Sequence, residues 1–228
     1  MRVIGVDGCR GGWLAVVLEV GTPALQVQVH MRFAEVLDAY PDAQAVAVDM
    51  PIGLWESARA RMRPCDAQAR QRLGKRASSV FIPPTRAMLN ADSYAPLRTL
   101  GLSVQAYHLI PRIRELDTLL TPDMQTQVWE SHPELSFASM VGAPMEHSKR
   151  TPQGIRARFD ALQRALNLNA DELESRWQAC RAAGARLDDL LDACALAWSA
   201  MRHTQSRAEQ CIGVPERDAR GLLMTIRF

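Results

Sequence analysis

The chain has 228 residues, a hydrophobic fraction of 47% and a formal net charge of +2 at pH 7. These values are typical of a soluble globular protein, and we expect a single domain over residues 1–228. The charge balance alone indicates no nucleic-acid, membrane or acidic partner. The five cysteines are scattered and lack CxxC spacing, which predicts neither a zinc site nor a disulfide framework. With no apolar run near the ~18 residues of a membrane span, we expect a cytoplasmic protein.

The N-terminal part has the pattern of a small sheet. The predicted elements are strands over residues 2–7, 11–20, 24–31 and 43–54 and a helix over residues 33–40. The glycine turn between the first two strands favours a hairpin, and the third strand alternates apolar and polar residues. Because the fourth strand follows a crossover helix, it should lie parallel to an earlier strand.

The rest of the chain is predominantly helical. A basic, partly helical segment over 56–86 and a helical stretch over 93–120 predict an insertion of about 56–120, with Pro111 as a break or kink. We predict a fifth strand over 126–134, a loop over 142–154, helices over 155–167, 170–183 and 186–203, and a last strand over 221–228. The helix over 186–203 is the clearest, because its apolar residues repeat at three and four positions.

Carboxylates mark the ends of three predicted strands. Asp7, Asp49 and Glu130 lie at or near the carboxyl ends of strands, where open α/β sheets form their ligand crevices. Asp189 and Asp192 add two more on the long helix, about 60° apart around its axis. Converging carboxylates repel one another unless protons or hard cations lie between them. Such oxygen ligands suit Mg²⁺ or Mn²⁺, so we predict all five as catalytic candidates.

Each of these acids also has a simpler interpretation. A single Asp at a strand end is commonly a turn former or a helix cap, and Asp189 could face water in the first helical turn with its neighbour Asp188. Glu134 competes with Glu130 for the same role or merely starts a helix. His132 is either an acid/base candidate or a histidine satisfied by local hydrogen bonds.

Basic and hydroxyl residues predict a phosphate-bearing substrate. Residues 59–86 carry eight Arg and Lys side chains against one acid. From this segment we predict Arg72, Arg76, Ser78 and Ser79 as substrate-binding, with Arg10 in the first turn as a further phosphate contact. The glycines around Arg10 would keep side chains away from a metal or phosphate. The partner would be nucleic acid or a phosphorylated small molecule.

Five long motifs carry a family resemblance over nearly the whole chain. They are "GVDGCRGGW", "AVDMPIGL", "RPCDAQARQRLGKRASSVFIPP", "ESHPELSF" and "LLDACALAWSA". In these the chain resembles the DUF429 family, described as predicted nucleases of the RNase H-like fold. The resemblance implies an α/β, RNase H-like mixed sheet flanked by helices, with the basic helical segment as an insertion.

The long helix also resembles the D-x-x-D-A helix of Holliday-junction resolvases. That likeness implies metal ligation by Asp189 and Asp192 beside Asp7, with Asp49 or Glu130. Many RNase H-like nucleases keep a His near this helix, whereas His203 lies too late in it to match.

We therefore expect a metal-dependent nuclease that hydrolyses phosphodiester bonds by a two-metal mechanism. Asp7, Asp49 and Asp192 are the predicted ligands of Mg²⁺ or Mn²⁺. One alternative is a nucleotide-binding or phosphotransfer protein of the actin-like ATPase type, although those proteins need two such domains. The other is a non-catalytic binding module on the same fold.

Overall fold

The structure, a computed structural model, describes residues 1–19, 21–22 and 25–228. Its central sheet has five strands: β1 (Arg2–Cys9), β2 (Gly12–Glu19), β3 (Leu25–His30), β4 (Ala43–Val48) and β5 (Val128–Glu130). Val20 and Ala24, the outer ends of two predicted strands, lie outside the described residues.

The sheet is mixed, in the order β3-β2-β1-β4-β5. Strand β2 is antiparallel to β1 and β3, whereas β4 is parallel to β1 and β5 is parallel to β4. The predicted hairpin and the predicted parallel fourth strand are therefore confirmed. The carboxyl ends of β1, β4 and β5 meet at one edge of the sheet.

Eight α-helices flank this sheet in the described part of the chain. They are α1 (Phe33–Ala39), α2 (Pro64–Leu73), α3 (Tyr94–Thr99), α4 (Val104–Leu119), α5 (Pro133–Val141), α6 (Pro152–Leu166), α7 (Ala170–Arg181) and α8 (Leu187–Thr204). A mixed α/β sheet flanked by helices is the fold class that the sequence predicts. None of the helices in these described ranges is long and apolar enough to cross a membrane.

Four predicted element boundaries need correction. The fifth strand, predicted over 126–134, is only β5, and Pro133 already begins α5. Strand β4 ends at Val48, before Pro51, which has no N–H to donate, and Gly53, whose φ is 79°. The helical stretch over 93–120 breaks at Gly101, with a φ of 89°, and α4 runs through the exposed Pro111. In the predicted last strand, only β7 (Leu223–Met224) forms a ladder, with β6 (Glu216–Arg217).

Each face of the sheet has its own apolar core. Helices α5 to α8 cover one face, where Val3, Ala45 and Ala47 are buried, and α1, α3 and α4 cover the other, where Ile4 and Val46 are buried. Alternation along the strands produces this division, because successive side chains point to opposite faces.

Helix α8 lies directly on β1 because the residues between them are small. A Cβ atom added at Gly5 would lie 2.1 Å from both the Ala193 carbonyl oxygen and the Ala197 nitrogen. Asp7 is two residues beyond Gly5 and so points to the same face. This close approach brings the first turns of α8 beside the carboxyl end of β1.

Candidate functional site

An acidic cleft of about 590 Å³ opens at the carboxyl ends of β1 and β4. Asp7 comes from β1, Asp49 directly follows β4, and Asp189 and Asp192 come from the first half of α8. Residues from β1, the segments after β4 and α2, helices α4, α5 and α8, and the loops before α5, α6 and α8 complete the lining. They are Gly8, Met50, Arg76, Ser78, Ser79, Phe81, Gln105, Leu109, His132, Pro133, Glu134, Ser148, Lys149, Arg150, Arg186 and Asp188. The structure thus brings together four of the five predicted catalytic carboxylates.

Local backbone bonds place the two strand-end aspartates. The Gly8 N–H donates to Asp7 Oδ1 at 2.7 Å, which fixes one oxygen of that buried carboxylate. The Asp49 N–H donates to the Val6 carbonyl at 3.0 Å, which continues the parallel β1–β4 pairing by one residue. Both acids therefore leave the sheet on the face that α8 covers.

Burial and like charge make these carboxylates unusually weak acids. Burial, followed by the negative charges of Asp49 and Asp192, raises the pKa of Asp7 well above its usual value. Burial also raises the pKa of Asp49, and it raises the pKa of Asp192 to about 6, although the positive charge of Lys149 opposes both shifts. Such mutual shifts are expected of carboxylates that share a site.

A lysine from a loop supplies a positive charge inside the acidic cleft. Lys149 Nζ donates to Asp192 Oδ2, and the lysine side chain is 34% exposed. Burial acts to lower the pKa of Lys149, but the carboxylates of Asp192 and Asp7 outweigh it and raise the pKa above its ordinary value. Lys149 is therefore a charged ammonium group among the acids.

Of the two alternatives for the acid near β5, the structure brings Glu134 to the cleft. Glu134 is buried, and its Oε1 accepts from Arg158 at 2.5 Å and from Arg76 at 3.2 Å. Its Oε2 is buried without a hydrogen-bond partner among the described residues. One oxygen of this acid is thus unsatisfied at the wall of the cleft.

His132 caps helix α5. Its Nδ1 accepts from the Glu134 N–H at 3.2 Å, and its Nε2 lies 3.4 Å from the Ser79 carbonyl. With Nδ1 as acceptor, Nε2 carries the proton and donates to that carbonyl. These bonds fit the interpretation of His132 as a locally satisfied histidine.

Glu130 does not line the cleft. Its two oxygens accept from Arg63 Nη2 at 2.6 Å and Nη1 at 2.8 Å, and Oε2 also accepts from the Ile52 N–H at 2.8 Å. Arg63, which is buried, also contacts both oxygens of Asp66. This placement gives no support to the prediction of Glu130 as a catalytic group, because the carboxylate is fully used by protein donors.

Only some of the predicted phosphate-binding residues lie at the cleft. Arg76, Ser78 and Ser79 line the cleft, whereas Arg72 is exposed and pairs with Glu209 at 3.0 Å. Arg10 is exposed in a neighbouring hollow of about 520 Å³. Arg72 is thus outside both cavities.

The glycines of the first turn are needed mainly for close packing within the protein and less for space in the cleft. A Cβ atom at Gly11 would lie 1.9 Å from the Ala183 carbonyl oxygen, and one at Gly12 would lie 2.2 Å from that of His30. Gly8 does line the cleft, but a Cβ there would meet the Arg112 side chain at 2.9 Å. The expectation that these glycines clear space for a metal is therefore corrected: they allow close contact with the protein itself.

The donors in the cleft fit a hard divalent cation in chemistry but do not form a complete cage. Asp7, Asp49 and Asp192 offer only oxygen ligands, and Glu134 Oε2 is an unpartnered oxygen on the same wall. Within the described residues, no three His, Cys, Asp or Glu side chains are arranged to hold an ion as they stand. Lys149 is bonded to Asp192 within this group.

Fold and site together define an α/β protein with an acidic, partly buried cleft at the switch between antiparallel and parallel strands. The chain belongs to the DUF429 family, described as a protein of unknown function, whose model matches residues 5–217. The resemblance predicted from the motifs is thereby confirmed at the level of the family. Searches of the curated proteins and of the solved structures find no match.

The residue that sequence reasoning missed is Lys149. It stands in a polar loop with no periodicity, so no pattern placed it near the aspartates. One signal was present: all but two of the 27 basic residues are arginines, and the exceptions are Lys75 and Lys149.

Proposed function

We propose that this protein is a metal-dependent hydrolase of phosphodiester bonds, acting at the acidic cleft. The observation that carries the proposal is the convergence of Asp7, Asp49 and Asp192 from three separate elements. Their oxygens repel one another in a partly buried site, which is costly for stability and is typical of a site that binds cations.

Asp7, Asp49 and Asp192 would hold Mg²⁺ or Mn²⁺. A bound ion of this kind polarises a phosphoryl oxygen and lowers the pKa of a coordinated water. The residues of the chain orient the substrate: Arg76 and Ser78 lie at the rim and can donate hydrogen bonds to phosphate oxygens. In the reaction, a water oxygen bonds to phosphorus, the bond from phosphorus to the leaving oxygen breaks, and that oxygen gains a proton.

The substrate carries phosphate and extends beyond the carboxylates. The acidic cleft shares Arg186 and Asp188 with the neighbouring hollow, which also contains Arg10, Arg181 and Trp177. Arginines beside an aromatic ring suit a phosphate with an attached base. This arrangement favours nucleic acid as the substrate. A phosphorylated small molecule is the alternative.

The experiment compares hydrolysis and metal binding in three proteins. The wild type, Asp7→Asn and the control Asp42→Asn are assayed with Mn²⁺ on single- and double-stranded DNA and RNA and on bis(p-nitrophenyl) phosphate. Asp42 is an exposed acid that pairs with Arg2 at 3.0 Å and does not line the cleft. We expect Asp7→Asn to lose about 100-fold or more in rate, as for loss of a major electrostatic group, and to bind Mn²⁺ more weakly by calorimetry.

Full hydrolysis by Asp7→Asn, or Mn²⁺ binding unchanged from the wild type, would contradict the proposal. Binding of ATP without cleavage of any phosphodiester would instead favour the nucleotide-binding alternative.

A further inference from the structure

Contacts between its loop and α6 hold the backbone next to Lys149 in place. The residue lies between α5 and α6, and the carbonyls on its N-terminal side are fixed by α6. The His147 carbonyl accepts from Arg158 Nη1 at 3.1 Å, and the Ser148 carbonyl accepts from the Thr151 N–H at 3.0 Å. A Cβ atom at Gly154 would lie 1.9 Å from the Ser148 carbonyl oxygen, so the loop and α6 are in direct contact.

The choice of lysine is unusual for this chain. Two neighbouring buried acids are instead matched by arginine: Glu130 by Arg63 and Glu134 by Arg158. An ammonium group is a compact point charge on a flexible stem, whereas a guanidinium is a planar fork of five donors, which in Arg63 contacts Glu130 and Asp66 together. As a compact point charge, the ammonium resembles a metal ion more closely than the planar guanidinium does.

Charge balance limits how many metal ions the cleft needs. Among the other acids of the cleft, Asp189 accepts from the Arg186 N–H, and Asp188 and Glu134 pair with arginines. The proposed ligands Asp7, Asp49 and Asp192 in their ionised forms carry three negative charges, and Lys149 cancels one of them. One divalent ion neutralises the remainder, whereas two would leave an excess of positive charge before the substrate binds.

We infer that Lys149 takes the place of one of the two cations, so that the centre binds a single divalent ion and uses the ammonium as its second positive charge. This inference rests on the proposed function and replaces the two-metal expectation with a metal-plus-lysine centre. The ammonium would contact the substrate phosphate on the side of Asp192, the residue that it already bonds.

The test counts bound ions. Mn²⁺ is titrated into the wild type, Lys149→Met and the control Lys75→Met, with calorimetry for stoichiometry and electron paramagnetic resonance for coupling between paired ions. Lys75 is exposed and does not line the cleft. Thermal unfolding of each variant establishes that it is folded.

We expect one Mn²⁺ per chain in the wild type and in Lys75→Met. In Lys149→Met we expect a second, spin-coupled Mn²⁺, or one ion with hydrolysis reduced about 100-fold. Two ions in the wild type, or a folded Lys149→Met with one ion and unchanged hydrolysis, would overturn the inference while the proposed function stands. No Mn²⁺ binding in any of the proteins would overturn both.

Discussion

Two groups of buried acids lie close together in this molecule and are stabilised in opposite ways. In the arginine network of Arg63, Asp66 and Glu130, each carboxylate accepts at least two hydrogen bonds from protein donors. In the acidic cleft, Asp7 accepts from its neighbouring backbone amide, and Asp192 accepts from Lys149.

The difference separates a structural role from a functional one. A buried carboxylate whose oxygens are saturated by arginine has no capacity left for a ligand. Asp7 and Asp192 have no arginine partner and keep unused acceptor capacity, and their burial beside other acids costs stability. The presence of an acid at a strand end therefore means little until its partners are known.

The largest expected change in the free energy of unfolding comes from removing the positive charge of Arg63 in the arginine network. Arg63→Met leaves Asp66 and Glu130 buried without their partner, and we expect a loss of about 3–5 kcal/mol in the free energy of unfolding. Urea denaturation measures it, and Mn²⁺ should not restore it. If the loss were below about 1 kcal/mol, or were reversed by Mn²⁺, the two regions would not differ in the way described.

A carboxylate-to-amide change should have opposite signs in the two regions. Asp66→Asn weakens charge-assisted bonds from Arg63 and should lower the free energy of unfolding by about 1.5–3 kcal/mol. Asp7→Asn removes a carboxylate whose charged form is disfavoured by burial and by neighbouring acids, so it should raise the free energy of unfolding in metal-free buffer. Parallel urea titrations in EDTA would contradict the comparison if both variants changed in the same direction.

The smallest expected effect is on the salt dependence of oligonucleotide binding when Arg76 of the cleft is changed. Arg76→Gln should lower the slope of log affinity for an oligonucleotide against log salt by about 0.7–0.9, because one phosphate contact is lost. Arg72→Gln is the matched control, since Arg72 is exposed and pairs with Glu209 outside the cleft. Fluorescence anisotropy at several salt concentrations measures both slopes. Equal slopes for the two variants would place the substrate away from Arg76.

Local patterns predicted the sheet and the acids at its edge. Alternation and the crossover rule were enough for β1 to β4, and Asp7 and Asp49 follow directly from where those strands end. The partners of the acids could not be predicted in this way. Glu130 is bonded to Arg63, 67 residues away, and Lys149 reaches Asp192 across 43 residues. Such pairings depend on which distant segments pack together in the folded chain, and the periodicity of a local sequence does not predict this.

The contact between Gly5 and α8 has a consequence for how the cleft could be altered. Because the backbone of α8 touches β1 at Gly5, main-chain packing sets how closely the helix that carries Asp192 approaches the strand that carries Asp7. A methyl group at residue 5 would push α8 away from β1 and widen the cleft without changing any side chain that lines it. In the proposed metal site, the fit of small against large divalent ions would then depend on a glycine that touches neither ion nor substrate.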